Sequence, residues 1–538
     1  MSRLVLLLLL LAPCAASCAG ATATGTTHYV RTDGGTAMQC DGSRDSAYPG
    51  EGEERPCAWR HPFIALPPGQ PPRIAGGDTL IIGAGSYRVG REATDGDVCG
   101  DLEPAACTLA PVPGGPSPSH PTRILGEGHD RGCKAAPTLW ATGGVVSLLR
   151  LEHSDNVEIA CLELTDRGAC IKGHPELGDR CRTEGPEAAW GKYGILASDS
   201  SQVELRDLDI HGLAMNGIRA GRIRDWTLRN VRLRANGWAG WDGNLDADDP
   251  DNSGNRGYIR FIGGEIAWNG CGEHYPGGQA YGCWAQQHGG YGDGLGTARS
   301  GGDWLFEGVH IHHNTSDGLD LLYMDGTGSV TLRRLRVEGN AGNQIKLAGP
   351  ATIENTIAVG NCGFFADLPG SGLVGKDHCR ANGNTLSLSP SPGSVITLLN
   401  NTVTGQGDCL ILIAGGDSSA RVIARNNALV GGTEWSADRA GGGSLTCGYY
   451  RLDSDATLSF EHNLFWRLKD DQCPSGNLCE RDPALTASGF ARFDPTPRAD
   501  SPLIDAGMPV ELDHDHFQHP RPAGGGVDIG AVERQQVE

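Results

Sequence analysis

Eight stretches between residues 200 and 432 are variations on one unit, among them "SSQVELRDLDIHG", "IRDWTLRNVRLRANG", "GSVTLRRLRVEGNAG" and "ARVIARNNALVGG". Each reads as an alternating strand, a polar or Asn/Gly turn, a second short strand and another Asn/Gly turn. Asn236, Asn269, Asn314, Asn340 and Asn361 hold one place in their units, 33, 45, 26 and 21 residues apart. A unit of this size cannot bury its apolar face alone, so it must stack on its neighbours, which makes the chain a solenoid. The longer gaps then mark insertions on one side of the coil. Asn tolerates left-handed backbone and hydrogen-bonds neighbouring main chain, so the stacked asparagines are expected to form a ladder. The 81 glycines in 538 residues, about twice the usual share, fit short strands and tight turns. The fold class expected is all-β.

The start, "MSRLVLLLLLLAPCAASCAG", has one Arg, an unbroken Leu run and then small residues, the pattern of a secretory signal. It covers residues 1–23 if cleavage follows Ala21 or Ala23; the alternative is a lipid anchor on Cys18 of "AASC". The Leu run is shorter than the roughly 20 apolar residues of a membrane span, and no second candidate follows. Setting Cys14 and Cys18 aside leaves sixteen cysteines, and an even number in an exported chain implies disulfides. Pairing sequence neighbours gives Cys40/Cys57, Cys99/Cys107, Cys133/Cys161, Cys170/Cys181, Cys271/Cys283, Cys362/Cys379, Cys409/Cys447 and Cys473/Cys479. A secreted or extracytoplasmic monomer is expected. The net charge of −21 argues against nucleic acid as a partner, which wants a basic face.

Chemistry is expected where the units break their own pattern. One break is the insertion "WDGNLDADDPDNSGN" at 241–255, with Asp242, Asp246, Asp248, Asp249 and Asp251. Another is the aromatic, His-bearing insertion at 271–291. The third is "NTSDGLDLLYMDG" at 314–326, followed by "NQIKLAG". Asp293 and Asp317 are 24 residues apart, and Lys346 is 26 beyond Asp320, each about one coil. With neighbouring strands about 4.8 Å apart, the three acids and the lysine can meet in one groove. Such a cluster suits a hard cation beside a base, since calcium prefers carboxylate and other oxygen ligands. Asp317 alone reads equally as a turn cap. Trp238, Trp241, Tyr281 and Trp284 are candidates to stack on sugar rings or to pack the loops.

Two resemblances follow from these residues. The opening "HYVRTDGG…CAWRHPFIALP…GGDTLIIGAGSYRVG" and the tail "ADSPLIDAGMP…DHDHFQHPRPAGGGVDIGAVE" resemble the capping segments of secreted right-handed parallel β-helix proteins. The expected layout is an N-terminal cap and first coils over 28–150, β-helix repeats over 151–465 and a closing segment over 466–538. Within the repeats, "GDGLG", "TSDGLDLL", "NQIKLAG" and "IENTIAVGN" resemble, in order and spacing, the motifs of the calcium-dependent pectate lyases of polysaccharide lyase family nine. The resemblance implies Asp293, Asp317 and Asp320 as Ca2+ ligands, Lys346 as base and an acidic polysaccharide (a polyuronate) as substrate, cleaved by β-elimination. Ser316 stands where the family has a further acid; Asp325 or the 241–251 run is the candidate replacement. Arg333, Arg336 and Asn343 flank the groove as candidate substrate-binding residues. A lysine with an ordinary pKa of about 10.4 must lose its proton to act, so its pKa is expected to be lowered in the site and activity to rise toward alkaline pH. Two alternatives stay open, a polygalacturonase-like hydrolase and a non-catalytic carbohydrate-binding β-helix.

Overall fold

A computed structural model of the chain describes residues 25–535 except 92, 94–95, 246–252, 276–277, 285–291, 368–378, 380–382, 433–444 and 470–472. The signal segment, Cys18, Asp246, Asp248, Asp249 and Asp251 therefore lie outside the described residues. Within them the chain is a right-handed parallel β-helix, the hand that parallel crossovers take in nearly all cases. Each coil contributes a strand to each of three parallel sheets. In one coil these are Val330–Arg333, Arg336–Glu338 and Ile345–Gly349, and the next coil begins with Ala351 beside Val330. The third sheet is a ladder of ten strands, from Val145–Arg150 to Cys447–Leu452. The first two sheets merge where Val157–Thr165 and Ser201–His211 run through both. At the N-terminal end Thr27–Gly35 pairs with Thr79–Ile82, and the short helix Pro62–Ala65 lies between them in sequence.

Alternation explains the core: Val330, Leu332, Val337, Ile345 and Leu347 point inward and are buried, while the residues between them face out. Successive coils stack aromatic rings inside, with Phe261 on Phe306 (centroids 4.7 Å apart) and Trp241 between Phe261 and Trp304. Trp241 is fully buried, so it packs the core and is not a sugar platform. The corner between the first and second sheets needs left-handed backbone in coil after coil, supplied by Asn230 (φ 51°), Arg334 (53°), Asn355 (49°), Asn400 (51°) and Asn426 (56°).

The asparagine ladder exists, with one substitution. Side-chain amides donate in series from Asn236 to Asn269, Asn314 and Asn340 at 2.8–3.0 Å. The next rung is Gln344, which accepts from Asn340 at 2.8 Å, and not Asn361. A second ladder runs through Asn401, Asn427, Asn463 and Asn477 at the other corner. In each "NN" pair the first residue takes the left-handed turn and the second joins the ladder. Asn427→Ala would leave the backbone N–H of Asn401 and one N–H of its side-chain amide without their acceptor, and take a donor from the carbonyl of Leu398. The expected cost is about 3 kcal/mol, from groups worth about 1–3 kcal/mol each when buried unpaired, read as a lower denaturant midpoint. All eight expected disulfides are present, each stapling a loop to its own or the adjoining coil.

The closing segment does more than end the solenoid. It runs back along the outer face of the second sheet, where Ile529, Ala531, Val532, Phe490 and Phe493 pack on Ile357, Val359, Ala428 and Val430. This explains strands such as Ile357–Gly360 and Ala428–Gly431, which are buried on both faces.

Candidate functional site

Asp320 and Lys346 are register partners on adjoining strands of the third sheet. Leu319 and Leu321, like Ile345 and Leu347, point into the core, which turns the acid and the lysine outward at the same height. Lys346 Nζ lies 2.7 Å from Asp320 Oδ2 and 3.3 Å from Asp317 Oδ2. One coil before, Asp293 Oδ1 accepts the backbone N–H of Asp317 (2.9 Å). Asp317 Oδ1 in turn accepts the backbone N–H and side-chain amide of Asn343, at 2.7 and 2.9 Å. The residues expected to meet do so: Asp293, Ser316, Asp317, Asp320, Asn343 and Lys346 form one cluster across three coils. The capping role is real as well, since one oxygen each of Asp293 and Asp317 holds the coil that follows.

Crowding of charge shapes the cluster. Burial, and then the charges of Asp317 and Asp320, hold the Asp293 carboxyl well above its usual range, partly offset by a hydrogen bond from Ser316. Asp320 is raised by burial and Asp317, with Lys346 opposing. Burial would lower Lys346, yet Asp317 and Asp320 outweigh it and hold the ammonium above the ordinary lysine value. The expected lowering is thus corrected: in the protein by itself, Lys346 is the counter-ion of two carboxylates. While both carboxylates carry charge, their field opposes loss of its proton.

The donors match a hard divalent cation in kind, being three carboxylates plus the buried carbonyl oxygen of Asn343, which has no hydrogen-bond partner. No three His, Cys, Asp or Glu side chains among the described residues gather round one point as a ready-made cage. The Lys346 ammonium stands between Asp317 and Asp320 instead.

Three expected residues are placed elsewhere. Arg333 and Arg336 belong to the first and second sheets; Arg333 pairs with Glu354 and lines a shallow hollow beside Tyr258 and Arg260. Arg336 is clamped to Glu338 at 2.6 Å and to the carbonyl of Phe493. Asp325 caps its own turn through Thr327 and pairs with Arg256 at 3.0 Å, so it supplies no oxygen to the cluster. Sequence reading missed that Asp242 and Arg219 stand in the same outward row, in register through Gly296 with Asp320 and Lys346. Asp242 is half-buried, and desolvation raises its pKa. Each member of the row directly follows an inward apolar residue, Ile218, Trp241, Leu295, Leu319 or Ile345, and that signal would have found it.

The inserted hairpin Gly272–Tyr281, closed by Cys271–Cys283, is tied to the solenoid by His211. Its ring bridges Glu273 (2.5 Å) and Glu163 (3.0 Å). Burial opposes the charge, but the two glutamates prevail and push His211 up to about 9 from 6.5. A raised pKa means stabilisation that is complete below about pH 6.5 and lost as pH rises through about 9. Proteolysis of the hairpin should accelerate across that window, and His211→Gln should abolish the pH dependence.

No family model and no curated protein matches the chain. Solved structures to which it is similar include pectate lyase Pel9A, at 13% identity over 95% of this chain and 97% of that one, TM-score 0.42. XylC, solved with xylose, is 9% identical over 95% and 99%, TM-score 0.40. The A-module of the Azotobacter vinelandii mannuronan C-5 epimerase AlgE6 is 10% identical over 76% and 88%, TM-score 0.33. Likeness at this level assigns no chemistry to the chain.

Proposed function

We infer that the chain is a secreted polysaccharide lyase that cleaves a polyuronate by β-elimination, with Lys346 as base. One observation carries the reading: an ammonium and two carboxylates from adjoining coils meet within 3.3 Å on an outward face, with a third acid one coil away. Asp293, Asp317 and Asp320, with the Asn343 carbonyl, would hold calcium, which would neutralise a substrate carboxylate and acidify the proton beside it. Lys346 Nζ, as the neutral amine, takes that C5 proton. The electron pair forms the C4–C5 double bond, and the C4–O bond breaks with its electrons going to the leaving oxygen, which takes a proton from solvent water. Asn343 fixes Asp317 through two hydrogen bonds, so the acid keeps its second oxygen turned toward Lys346. The test is ultraviolet absorbance of unsaturated ends from a panel of polyuronates at alkaline pH, with calcium and then with chelator. Absorbance that survives chelation would sink the calcium assignment, and reducing ends without absorbance would indicate a hydrolase.

One observation favours a second reading. Asp293 and Asp317 each spend an oxygen on capping the next coil, a role they would also have in a non-catalytic carbohydrate-binding β-helix. Binding without cleavage anywhere in the panel would support it.

A further inference from the structure

The chain has six lysines, Lys134, Lys172, Lys192, Lys346, Lys376 and Lys469, and Lys172 and Lys192 sit on the same edge as Lys346. Backbone hydrogen bonds run coil to coil along that edge: Met215 donates to Lys192, Trp238 to Met215, Gly292 to Trp238 and Ser316 to Gly292. Lys192 is therefore in line with Ser316, four coils away, or about 19 Å at 4.8 Å per rung. Trp238, half-buried, stands between them. Lys172 is fastened to this row, its N–H donating to Ala214 and its carbonyl accepting from the Trp238 indole. Arg219 occupies the neighbouring row, three rungs from Asp320. Its guanidinium is fixed by the carbonyls of Asn244 and Leu245 and the hydroxyl of Tyr193.

Among the described residues none of these three cations meets a carboxylate at ion-pair distance. The Tyr193 hydroxyl that holds Arg219 belongs to the residue after Lys192, and the charges of Lys172 and Arg219 add to burial in lowering the Lys192 pKa. In a chain of net charge −21, three grouped cations with one neighbouring acid, Asp242 beside Arg219, create a local field that attracts anions. It lies on the same face as the acid cluster, with an aromatic ring between the two.

We propose that Lys172, Lys192 and Arg219 form an anion-binding subsite for a carboxylated polysaccharide several sugars long, lying parallel to the helix axis with its reacting unit at the Asp317–Lys346 cluster. This rests on the function proposed above and deepens it. A 1,4-linked pyranose is about as long as one rung, so a chain spanning both places presents its far carboxylates to the triad while its near one is at Lys346. Trp238 lies midway, where a ring can stack.

The experiment is calorimetry on the full chain carrying Lys346→Ala, so that the probe persists, with galacturonate trimer and octamer and a neutral octasaccharide. The octamer should bind more tightly than the trimer and weaken with salt. Lys172→Gln with Lys192→Gln should cost the octamer about tenfold, the size expected for losing two half-exposed ion contacts, and leave the trimer unaffected. Lys172→Arg with Lys192→Arg should restore it. Octamer affinity unchanged by the Gln pair, an equally tight neutral octasaccharide, or no octamer binding at all would each overturn the subsite. Lysine-dependent octamer binding by a wild-type protein that makes no unsaturated ends would uphold the subsite while the lyase reading fell.

Discussion

Lys346→Ala should abolish the absorbance produced from polyuronate, lowering kcat by about 10²–10⁴-fold, the range for loss of a positioned general base. Loss of activity alone does not distinguish a base from a structural counter-ion, because Lys346 is the counter-ion of Asp317 and Asp320 in this geometry and the base only in the proposed reaction. Lys346→Arg separates the two roles. A guanidinium keeps the charge between Asp317 and Asp320, so it preserves whatever structure the ion pair supports. It does not give up a proton at any pH the protein survives. The Arg variant should therefore melt near wild type and be as inactive as the Ala variant. Substantial activity in Lys346→Arg would remove Lys346 from the proton transfer. Asp320→Asn should act in the opposite sense on binding: it leaves Lys346 with one carboxylate partner instead of two and weakens the cation site, so activity should need more calcium.

Local spacing proved informative wherever the period of the coil was enough to decide. The 24- and 26-residue separations placed Asp293, Asp317, Asp320 and Lys346 on successive rungs, and the register pairs Asp320 with Lys346 directly. Neighbour pairing of cysteines was enough because each bond closes a loop of 6–38 residues within or next to one coil. The errors share another cause. Alternation tells which residues face out but not which of three sheets they are on, so Arg333 and Arg336 were assigned to a face they do not share. Asn361 has the right local pattern, yet Gln344 reaches the rung first because its longer side chain spans the corner before the third-sheet strand. Trp241 opens an acidic loop in sequence, but it is the last inward residue of its strand. The closing segment returns over the side of the second sheet because Ile357, Val359, Ala428 and Val430 make that outer face apolar, a pattern spread over three coils and invisible in any one.

Arg521→Ala should destabilise the docked closing segment by about 3–5 kcal/mol, the cost of removing one partner from a buried charge cluster. The Arg521 side chain is fully buried, its guanidinium donating to the carbonyls of Asp528 and Gly530 and lying 3.5 Å from Glu533, itself fully buried. Glu533 accepts the N–H groups of Ala523 and Asp528, and Asp515 accepts that of Glu533. Truncation therefore leaves the buried Glu533 carboxylate without its cation and takes from the carbonyls of Asp528 and Gly530 one of their two donors, the other being Asn400. The segment they organise carries Ile529 and Ala531 onto the second sheet, pinned by Asn400 to Asp528 and by Asn426 to Met508. Losing it uncovers an apolar stripe whose exposure invites association. The coils themselves stay paired, so the loss should be local before it is global. Cleavage between residues 505 and 535 should become fast, a hydrophobic dye should bind, and a separate low-denaturant transition should appear. Arg521→Lys should rescue little, since one ammonium does not reproduce a planar fork held by two carbonyls. Wild-type protease resistance in Arg521→Ala would mean that the apolar contacts hold the segment without the cluster. Ile529→Ala would then be the change that frees it.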